Sequence, residues 1–142
     1  MGSDSDRQPK WEVQFTAEAE RWYMSLEPED AHAIAAAFDR LAEAGPAVRR
    51  PLVGAIRGSR HHNMKEVRSV GGHLRALFAF DPCRRAVVLL GGEKTGDWKG
   101  WYARNIPAAD RLYDKHLRTL GREPPRRTQT RRAGARSADS GR

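Results

Sequence analysis

The chain has 142 residues, is 39% hydrophobic and carries a formal net charge of +8. That length and apolar content predict one small domain with a real core rather than two domains. The single cysteine, Cys83, excludes an internal disulfide and a multi-cysteine zinc site, which suits a reducing compartment. The sequence contains no apolar run of membrane-spanning length and begins with a polar segment, so we expect a soluble, cytoplasmic protein without a membrane partner.

The positive charge is distributed unevenly along the chain. Residues 121–142 hold seven arginines against two acids and are rich in Pro, Gly and Ser, which predicts a disordered basic tail. The polar residues 1–10 are expected to be a disordered extension. Residues 12–43 carry eight acids, whereas residues 49–75 carry seven Arg and Lys against a single acid. The folded domain is therefore expected to have one acidic side and one basic side.

The first third of the chain predicts a strand followed by two helices. Residues 11–16, WEVQFT, alternate apolar and polar side chains, which is typical of a half-buried strand. Thr16 can cap a short helix that runs through Leu26. Pro28 is well placed in the first turn of a second helix, and Gly45 supplies its end. Because no strand separates the two helices, we expect them to form a helical hairpin.

The remainder predicts a long connection, three strands and a final helix. Residues 46–62 contain two prolines, two glycines and four arginines, and connections of this length are often functional. The segments NMKEVRS, HLRALFAFD and AVVLLGG are typical of three consecutive strands joined by hairpins. Apolar residues then recur at helical spacing over about residues 107–120. This last helix either packs on the sheet or holds a partner.

The predicted order is β-α-α-β-β-β-α, an α+β fold whose antiparallel sheet is covered on one face by the helical hairpin. Alternation places His73 and Arg75 on the opposite face of the middle strand, which nothing obvious covers. An open sheet face lined with Arg, Lys and His would be a platform for phosphate groups. In the preceding strand, Met64 and Val67 are three residues apart, so regular alternation cannot place both on one face of the sheet. Either a bulge or burial of both faces of the strand would explain this spacing.

Four separated segments resemble the HigB-like branch of the RelE/ParE toxin superfamily, including its phage-derived members. They are MKEVR, LRALFAFDP, LLGGEKTGDWKGWY and IPAADRLYDKHL. Together with the WEVQF strand, the resemblance covers residues 11–118 and implies a RelE/HigB-like toxin domain over residues 11–120. It implies a toxin of a type II toxin–antitoxin pair: a ribosome-dependent endoribonuclease that cuts translated mRNA. The implied partner is a helix-turn-helix antitoxin of the HigA type, and no metal ion or cofactor is implied.

Cutting RNA in this way requires three things: an activated 2′-hydroxyl, a stabilised pentavalent phosphorane and a protonated 5′-oxygen leaving group. Arg75, fixed on a strand, is a candidate phosphate clamp because its planar fork can donate two bonds at once, and Arg68 is the second such candidate. Lys65 is a candidate general base or electrostatic stabiliser, and His73 a candidate acid or base. The resemblance implies that Lys94 lies near the leaving group.

Further residues are candidates for binding the RNA itself. Trp98, Trp101 and Tyr102 could stack on an unpaired base, and the basic connection adds Arg57 and Arg60. The plainer alternative is that these aromatic side chains belong to the core or contact the antitoxin.

Two of these residue assignments have plainer alternatives. Arg68 could serve only to pair with Glu66 or with a helix acid, and Lys65 stands alone where related toxins often present two lysines close together.

Two other kinds of protein also remain open as interpretations of the whole chain. A ParE-like toxin has a similar fold and poisons gyrase without cutting RNA, and a plain nucleic-acid-binding protein needs only the basic face and tail. The HigB-like segments favour the ribonuclease.

Overall fold

The computed structural model describes residues 10–93 and 97–122, so the predicted N-terminal extension before Lys10 and the tail after Arg122 lie outside the described residues. The elements are, in chain order, β1 (Glu12–Phe15), α1 (Ala17–Met24), α2 (Pro28–Ala44), a short 3-10 helix (Gly45–Ala47), β2 (Val53–Ala55), β3 (Met64–Arg68), β4 (Leu74–Phe80), β5 (Arg85–Glu93) and α3 (Trp98–Arg122). The α+β class and the predicted order are confirmed, with one strand, β2, added. None of the helices in this part of the chain has the length and hydropathy of a membrane span.

The local signals at the first two helices act as the sequence predicts. Thr16 caps α1, accepting a hydrogen bond from the Ala19 amide (3.0 Å), and its hydroxyl donates to the Leu89 carbonyl of β5 (2.6 Å). Pro28 is the first residue of α2. Gly45 ends that helix with a positive φ of 54°, and a Cβ at this position would overlap the Trp11 indole. Both the backbone conformation and the close contact require glycine there.

The sheet has five strands in the order β1-β5-β4-β3-β2. Strands β2 to β5 pair in antiparallel fashion, but β1 pairs with β5 in parallel. The sheet is therefore mixed, which corrects the antiparallel prediction. Hairpins fix the direction of neighbouring strands, whereas most of the domain separates β1 from β5 along the chain and no hairpin constrains this pair. β2 has only three residues in a Pro- and Gly-rich connection, too few for an alternation signal.

The first face of the sheet packs against the helical hairpin formed by α1 and α2, as predicted. Ile34, Phe38 and Leu41 of α2 are buried here against Val67 and Phe78 of the sheet. Phe15 and Phe38 pack edge to face, with ring centroids 5.1 Å apart. This face forms the larger of the two cores.

The second face of the sheet is covered by α3, so the prediction of an open face is wrong. Leu77 of β4 and Leu89 of β5 are buried on this side together with Trp101 and Ile106 of the helix. A second apolar face must be buried like the first, and the terminal helix is the element available for it.

This second core also explains why the apolar residues Met64 and Val67 of β3 do not follow a simple alternation. Met64 packs beneath α3, whereas Val67 packs beneath the helical hairpin. Burial on both sides is therefore the explanation, and β3 contains no bulge. The register shift in the sheet lies between β4 and β5, at Leu77/Phe78.

Helix α3 begins at Trp98, nine residues before the predicted start. Asp97 caps it, accepting a hydrogen bond from the Gly100 amide (3.0 Å). Pro107, expected in the first turn, lies inside the helix. An interior proline removes one hydrogen bond and costs about 3 kcal/mol, but Trp101 and Ile106 before it and Ala109 after it are buried against the sheet. Packing of the helix on the second face thus outweighs the local signal.

A buried ionic cluster holds the C-terminal half of α3 to the sheet. The Asp81 carboxylate, after β4, is fully buried and accepts hydrogen bonds from Arg85 Nε (3.1 Å) and His116 Nε2 (2.8 Å). Arg85 also donates to Gln14 Oε1 of β1 (3.1 Å). One carboxylate therefore ties together a central strand, an edge strand and the last helix.

We predict that Asp81→Asn lowers the free energy of unfolding by about 3 kcal/mol or more, because it leaves the Arg85 charge buried without its counterion. Urea denaturation followed by circular dichroism measures this. Asp39→Asn, on the exposed face of α2, is the matched control and should change stability by less than about 0.5 kcal/mol. Equal effects of the two substitutions would contradict the proposed importance of the cluster.

Candidate functional site

The fold brings two of the predicted phosphate ligands together. Arg68 on β3 and Arg75 on β4 are direct cross-strand partners. Their side chains lie on the face that carries α3, near the first turn of that helix. Like charges directly opposite each other in a sheet are destabilising, so an uncompensated pair would weaken the β3–β4 hairpin.

Glu66 supplies the compensation. Its side chain is 3% exposed, and its Oε2 accepts hydrogen bonds from Nε (2.8 Å) and Nη2 (2.5 Å) of Arg68. The other oxygen, Oε1, lies 3.9 Å from Nη1 of Arg75. The plainer alternative for Arg68, pairing with Glu66, is therefore present in the structure. It does not remove Arg68 from the site, because the same carboxylate serves both guanidiniums.

Tyr102 of α3 connects the carboxylate to the second arginine. Its hydroxyl donates to Glu66 Oε1 and accepts a hydrogen bond from Arg75 Nη1 (2.6 Å). Burial, and next the hydrogen bond to Glu66, raise the pKa of the Tyr102 hydroxyl above its usual value, although Arg75 opposes this. The phenol thus keeps its proton at neutral pH and can act as the donor to Glu66.

Arg75 is held from several directions rather than lying on an open face. Its guanidinium lies over the Trp98 ring, 4.5 Å from the centroid, and its Nε donates to the Gly72 carbonyl (3.3 Å). Its side chain is 18% exposed. Such contacts fix the direction of the planar fork, which is what a phosphate clamp requires.

The three aromatic candidates divide into two roles. Trp101 is buried in the second core, where it lies against Gly92 so closely that a Cβ there would overlap its indole. Trp98 and Tyr102 are partly exposed and contact Arg75. The alternative that the aromatic residues belong to the core thus fits Trp101 best.

Both arginines have hydrogen-bonding capacity to spare. Among the described residues, Arg68 uses Nε and Nη2, and Arg75 uses Nε and Nη1. One terminal nitrogen of each guanidinium is thus left for another acceptor. With one carboxylate against two guanidiniums the cluster carries a net charge of +1, which favours an anion.

The other catalytic candidates do not join this cluster. Lys65 alternates with its neighbours on β3 and lies on the face of Val67, under the helical hairpin. His73 precedes β4, and its Nε2 is 3.0 Å from Asp30 Oδ1 of α2. His73 and Arg75 therefore contact opposite layers of the fold, contrary to the shared face predicted for them. Lys94 lies outside the described residues.

Arg57 and Arg60 lie in the connection between β2 and β3, and this connection is tied to α3. Arg57 is exposed. Arg60 donates through Nη2 to Asp114 Oδ2 (2.6 Å), and Ser59 donates to the buried Asp110 (2.5 Å). His61 Nε2 is 2.7 Å from Asp114 Oδ1. The connection is thus fastened along the helix by side-chain contacts.

No metal centre comes together in residues 10–93 and 97–122, where no group of three or more His, Cys, Asp or Glu side chains could hold an ion. The adjacent histidines His61 and His62 of the connection belong to no such group.

Sequence reasoning missed Glu66 as a member of the site and gave Tyr102 a different role. The first could have been found, because Glu66 and Arg68 are two apart on one strand and so share a face. The second could not, because Tyr102 reaches the cluster only through the packing of α3.

Hydrogen bonds from Arg60 and next from His61 hold the pKa of Asp114 at about 2, below its ordinary 3.8. A lowered pKa contributes stability that is fully present above the ordinary value and is lost as the pH falls toward 2. We therefore predict that Asp114→Asn lowers the urea midpoint at pH 5, and that the difference from wild type shrinks as the pH falls from 4 to 2. Asp39→Asn is again the control. A difference that does not vary with pH would contradict the assignment.

Comparisons with known proteins place this arrangement in a family. The sequence-family model of the phage-derived Gp49-like proteins matches residues 21–114 of this chain. A Mycobacterium tuberculosis protein named as a toxin, HigB3, is 47% identical over 100 residues, which cover 70% of this chain and 88% of that protein. Another from the same organism, named as the toxin HigB2, is 43% identical over 126 residues, covering 84% of this chain and 63% of that protein.

The fold is that of the RelE toxins. The crystal structure of the isolated Escherichia coli RelE toxin matches with a TM-score of 0.50 at 11% identity, over 66% of this chain and 97% of that one. At that identity the match establishes the fold alone. The chain belongs to the phage-derived Gp49-like family and, with its HigB relatives, to the toxins of type II toxin–antitoxin systems. The resemblance drawn from the four sequence segments is confirmed.

Proposed function

We propose that this toxin is an endoribonuclease that acts on ribosome-bound mRNA, with Arg68 and Arg75 as the phosphate clamp. The observation that carries the proposal is the pair of cross-strand guanidiniums, each with one terminal nitrogen left for an acceptor. Two fixed guanidiniums match the geometry of a phosphate better than ammonium groups do.

The clamp would act on the charge that develops during cleavage. When the 2′-oxygen attacks the neighbouring phosphate, negative charge increases on the non-bridging oxygens of the pentavalent intermediate. Donors already directed at that position stabilise the intermediate more than the ground state. Glu66 and Tyr102 are positioning residues in this proposal, because they hold the two guanidiniums and do not themselves contact the phosphate.

Proton transfer to and from the RNA oxygens needs further groups. Lys65, His73 and Lys94 remain predictions for these roles. His73 Nε2 lies beside Asp30 of α2, and Lys65 alternates with Arg68 on β3 and so lies on the opposite face, so a role for either would require the bound RNA to reach it. The positive charge of the clamp supplies the electrostatic part of catalysis without calling on a metal ion.

The partner we propose is a protein antitoxin. HigB relatives of the chain are named as toxins, and a toxin that arrests translation must be neutralised in the cell that makes it. The helix-turn-helix, HigA-like type of antitoxin is the form that the sequence resemblance implies. A small neighbouring reading frame encoding such a protein would support it.

We predict that Arg75→Ala and Arg75→Lys both reduce mRNA cutting by about a hundredfold or more, since removing one donor to a developing oxyanion has an effect of this size. The measurement is controlled expression in bacteria with mapping of 5′ ends on an abundant mRNA. Arg40→Ala is the matched control, because Arg40 lies on α2 and pairs only with Glu43 among the described residues.

Circular dichroism of the purified variants separates a lost clamp from a lost fold. Cutting by folded Arg75→Ala at the wild-type rate would overturn the assignment of the clamp. Growth arrest by the wild type without new 5′ ends would instead favour a toxin that binds another target, such as gyrase.

A further inference from the structure

The tight turn between β4 and β5 carries the single cysteine of the chain. Cys83 is partly exposed in this turn, and its amide donates a hydrogen bond to Asp81 Oδ1 (2.8 Å). The Arg85 amide donates to the same oxygen (3.0 Å), and the Arg84 amide donates to the Asp81 carbonyl (3.3 Å). One buried aspartate therefore sets the course of the turn and brings Cys83 and Arg85 to the same place.

The Arg85 side chain ends in a donor that the fold leaves unused. Its Nε donates to Asp81 Oδ2, and its Nη1 donates to Gln14 Oε1. The remaining nitrogen, Nη2, is shielded from solvent and has no hydrogen-bond partner among the described residues. Only 6% of this side chain is exposed. A buried donor without an acceptor is costly, and such atoms are rare in folded proteins.

Cys83 is the side chain that meets this guanidinium from the turn. Burial lowers the pKa of Arg85, but the charge of Asp81 and next the contact with the Cys83 thiol outweigh it and raise the pKa above its ordinary value. The sulfur of a thiol is only a weak acceptor, so this contact does not satisfy Nη2. An oxygen atom bound to that sulfur would be a strong acceptor.

We propose that Cys83 is a site of reversible oxidation, at which the sulfenate oxygen accepts a hydrogen bond from the free Nη2 of Arg85. The oxidant is hydrogen peroxide. The thiolate sulfur attacks one peroxide oxygen and forms the S–O bond while the O–O bond breaks, and the departing hydroxide takes up a proton to become water. Sulfur loses two electrons in this step, and the peroxide gains them.

The composition of the chain favours a sulfenate that persists. A sulfenic acid is commonly consumed by a second thiol, with which it condenses to a disulfide, and this chain has no second cysteine. The bond to a guanidinium is charge-assisted and therefore among the stronger ones. Return to the thiol needs a small thiol from solution, which forms a mixed disulfide with release of water. A second small thiol then displaces Cys83.

Oxidation at this turn would act on the attachment of α3. Arg85 and His116 share the Asp81 carboxylate, and Arg85 also reaches β1 through Gln14. An acceptor for Nη2 removes the penalty of the unpaired donor and holds the guanidinium from a third side. The oxidised protein is therefore expected to be more stable than the reduced one. This inference concerns the turn alone and holds whether or not the toxin cuts RNA.

The lifetime of the oxidised sulfur in the full chain is the first test. Reduced protein is treated with hydrogen peroxide, the peroxide is removed with catalase, and dimedone is added after increasing delays, before intact-mass spectrometry. Wild type should give one adduct, and Cys83→Ser none. The sulfenate should last about tenfold longer in folded protein than in protein unfolded in urea, the effect of one charge-assisted hydrogen bond. Equal lifetimes, or no adduct with wild type, would overturn the proposal.

Thermal unfolding distinguishes a bound sulfenate oxygen from a thiol that is merely reactive. Oxidised wild type should unfold about 3 °C above the reduced protein, because satisfying a buried donor has an effect of this size in a domain of this length. Dithiothreitol should reverse the shift. Cys83→Ser treated with the same peroxide is the control, since the exposed Met24 is open to oxidation in both proteins. An unchanged or lower midpoint for oxidised wild type would contradict the contact with Nη2.

Two arginine variants assign the contact to one side chain. Arg85→Lys keeps a positive charge next to Asp81 but has no Nη2, so the sulfenate lifetime should fall to its value in urea. Arg84→Lys is the matched control and should keep the wild-type lifetime, because the Arg84 guanidinium lies over the Trp11 ring, 4.5 Å from its centroid. A wild-type lifetime in folded Arg85→Lys would overturn the assignment.

A measurement on wild type alone covers the case in which Arg85→Lys does not fold. The guanidinium NMR resonances of Arg85 should shift when Cys83 is oxidised, while those of Arg84 stay in place. Shifts of equal size at both arginines, or no shift at Arg85, would reject the hydrogen bond to the sulfenate.

Discussion

The packing of α3 across the second face of the sheet is the constraint on which the rest of the structure depends. The helix buries an apolar face that would otherwise be open to water, and polar contacts tie it to other elements at three places along its length. These are Tyr102 with Arg75 and Glu66 near its start, Asp110 and Asp114 with the connection between β2 and β3, and His116 with Asp81 toward its end. Because the helix and the sheet both contribute to the arginine cluster, stability and function share one interface.

The cluster itself is a compromise between stability and binding. Two arginines directly across a β ladder repel each other, and Glu66 offsets this only in part, since one carboxylate faces two guanidiniums. Adding a second carboxylate would stabilise the fold further and would remove the attraction for an anion. Residual positive charge of this kind is expected where a protein must bind phosphate, because an entirely neutralised cluster would no longer attract an anion electrostatically.

The sequence predicted the elements whose signals are local. Thr16 and Gly45 define helix ends through contacts a few residues away, and the Gly71–Gly72 turn defines a hairpin in the same way. Predictions failed where distant packing competes with a local preference. Pro107 marked a helix start by propensity, but burial of the aromatic residues before it extends the helix back to Trp98. The short strand β2 exists only because β3 is beside it.

By itself the sequence determined the family, through segments that keep their order, and it determined that Arg68 and Arg75 lie on strands as candidate ligands. Alternation placed Arg75 on the face away from the helical hairpin, but the phase of β3 was left open, so the cross-strand pairing of Arg75 with Arg68 came only from the structure. Only the tertiary structure decided what covers that face, that Glu66 and Tyr102 join the arginines, and that His73 turns to α2 instead. The physical reason is that the alternation of apolar and polar residues along a strand indicates which of its side chains are buried. Which helix or strand covers them depends on contacts between residues far apart in the chain.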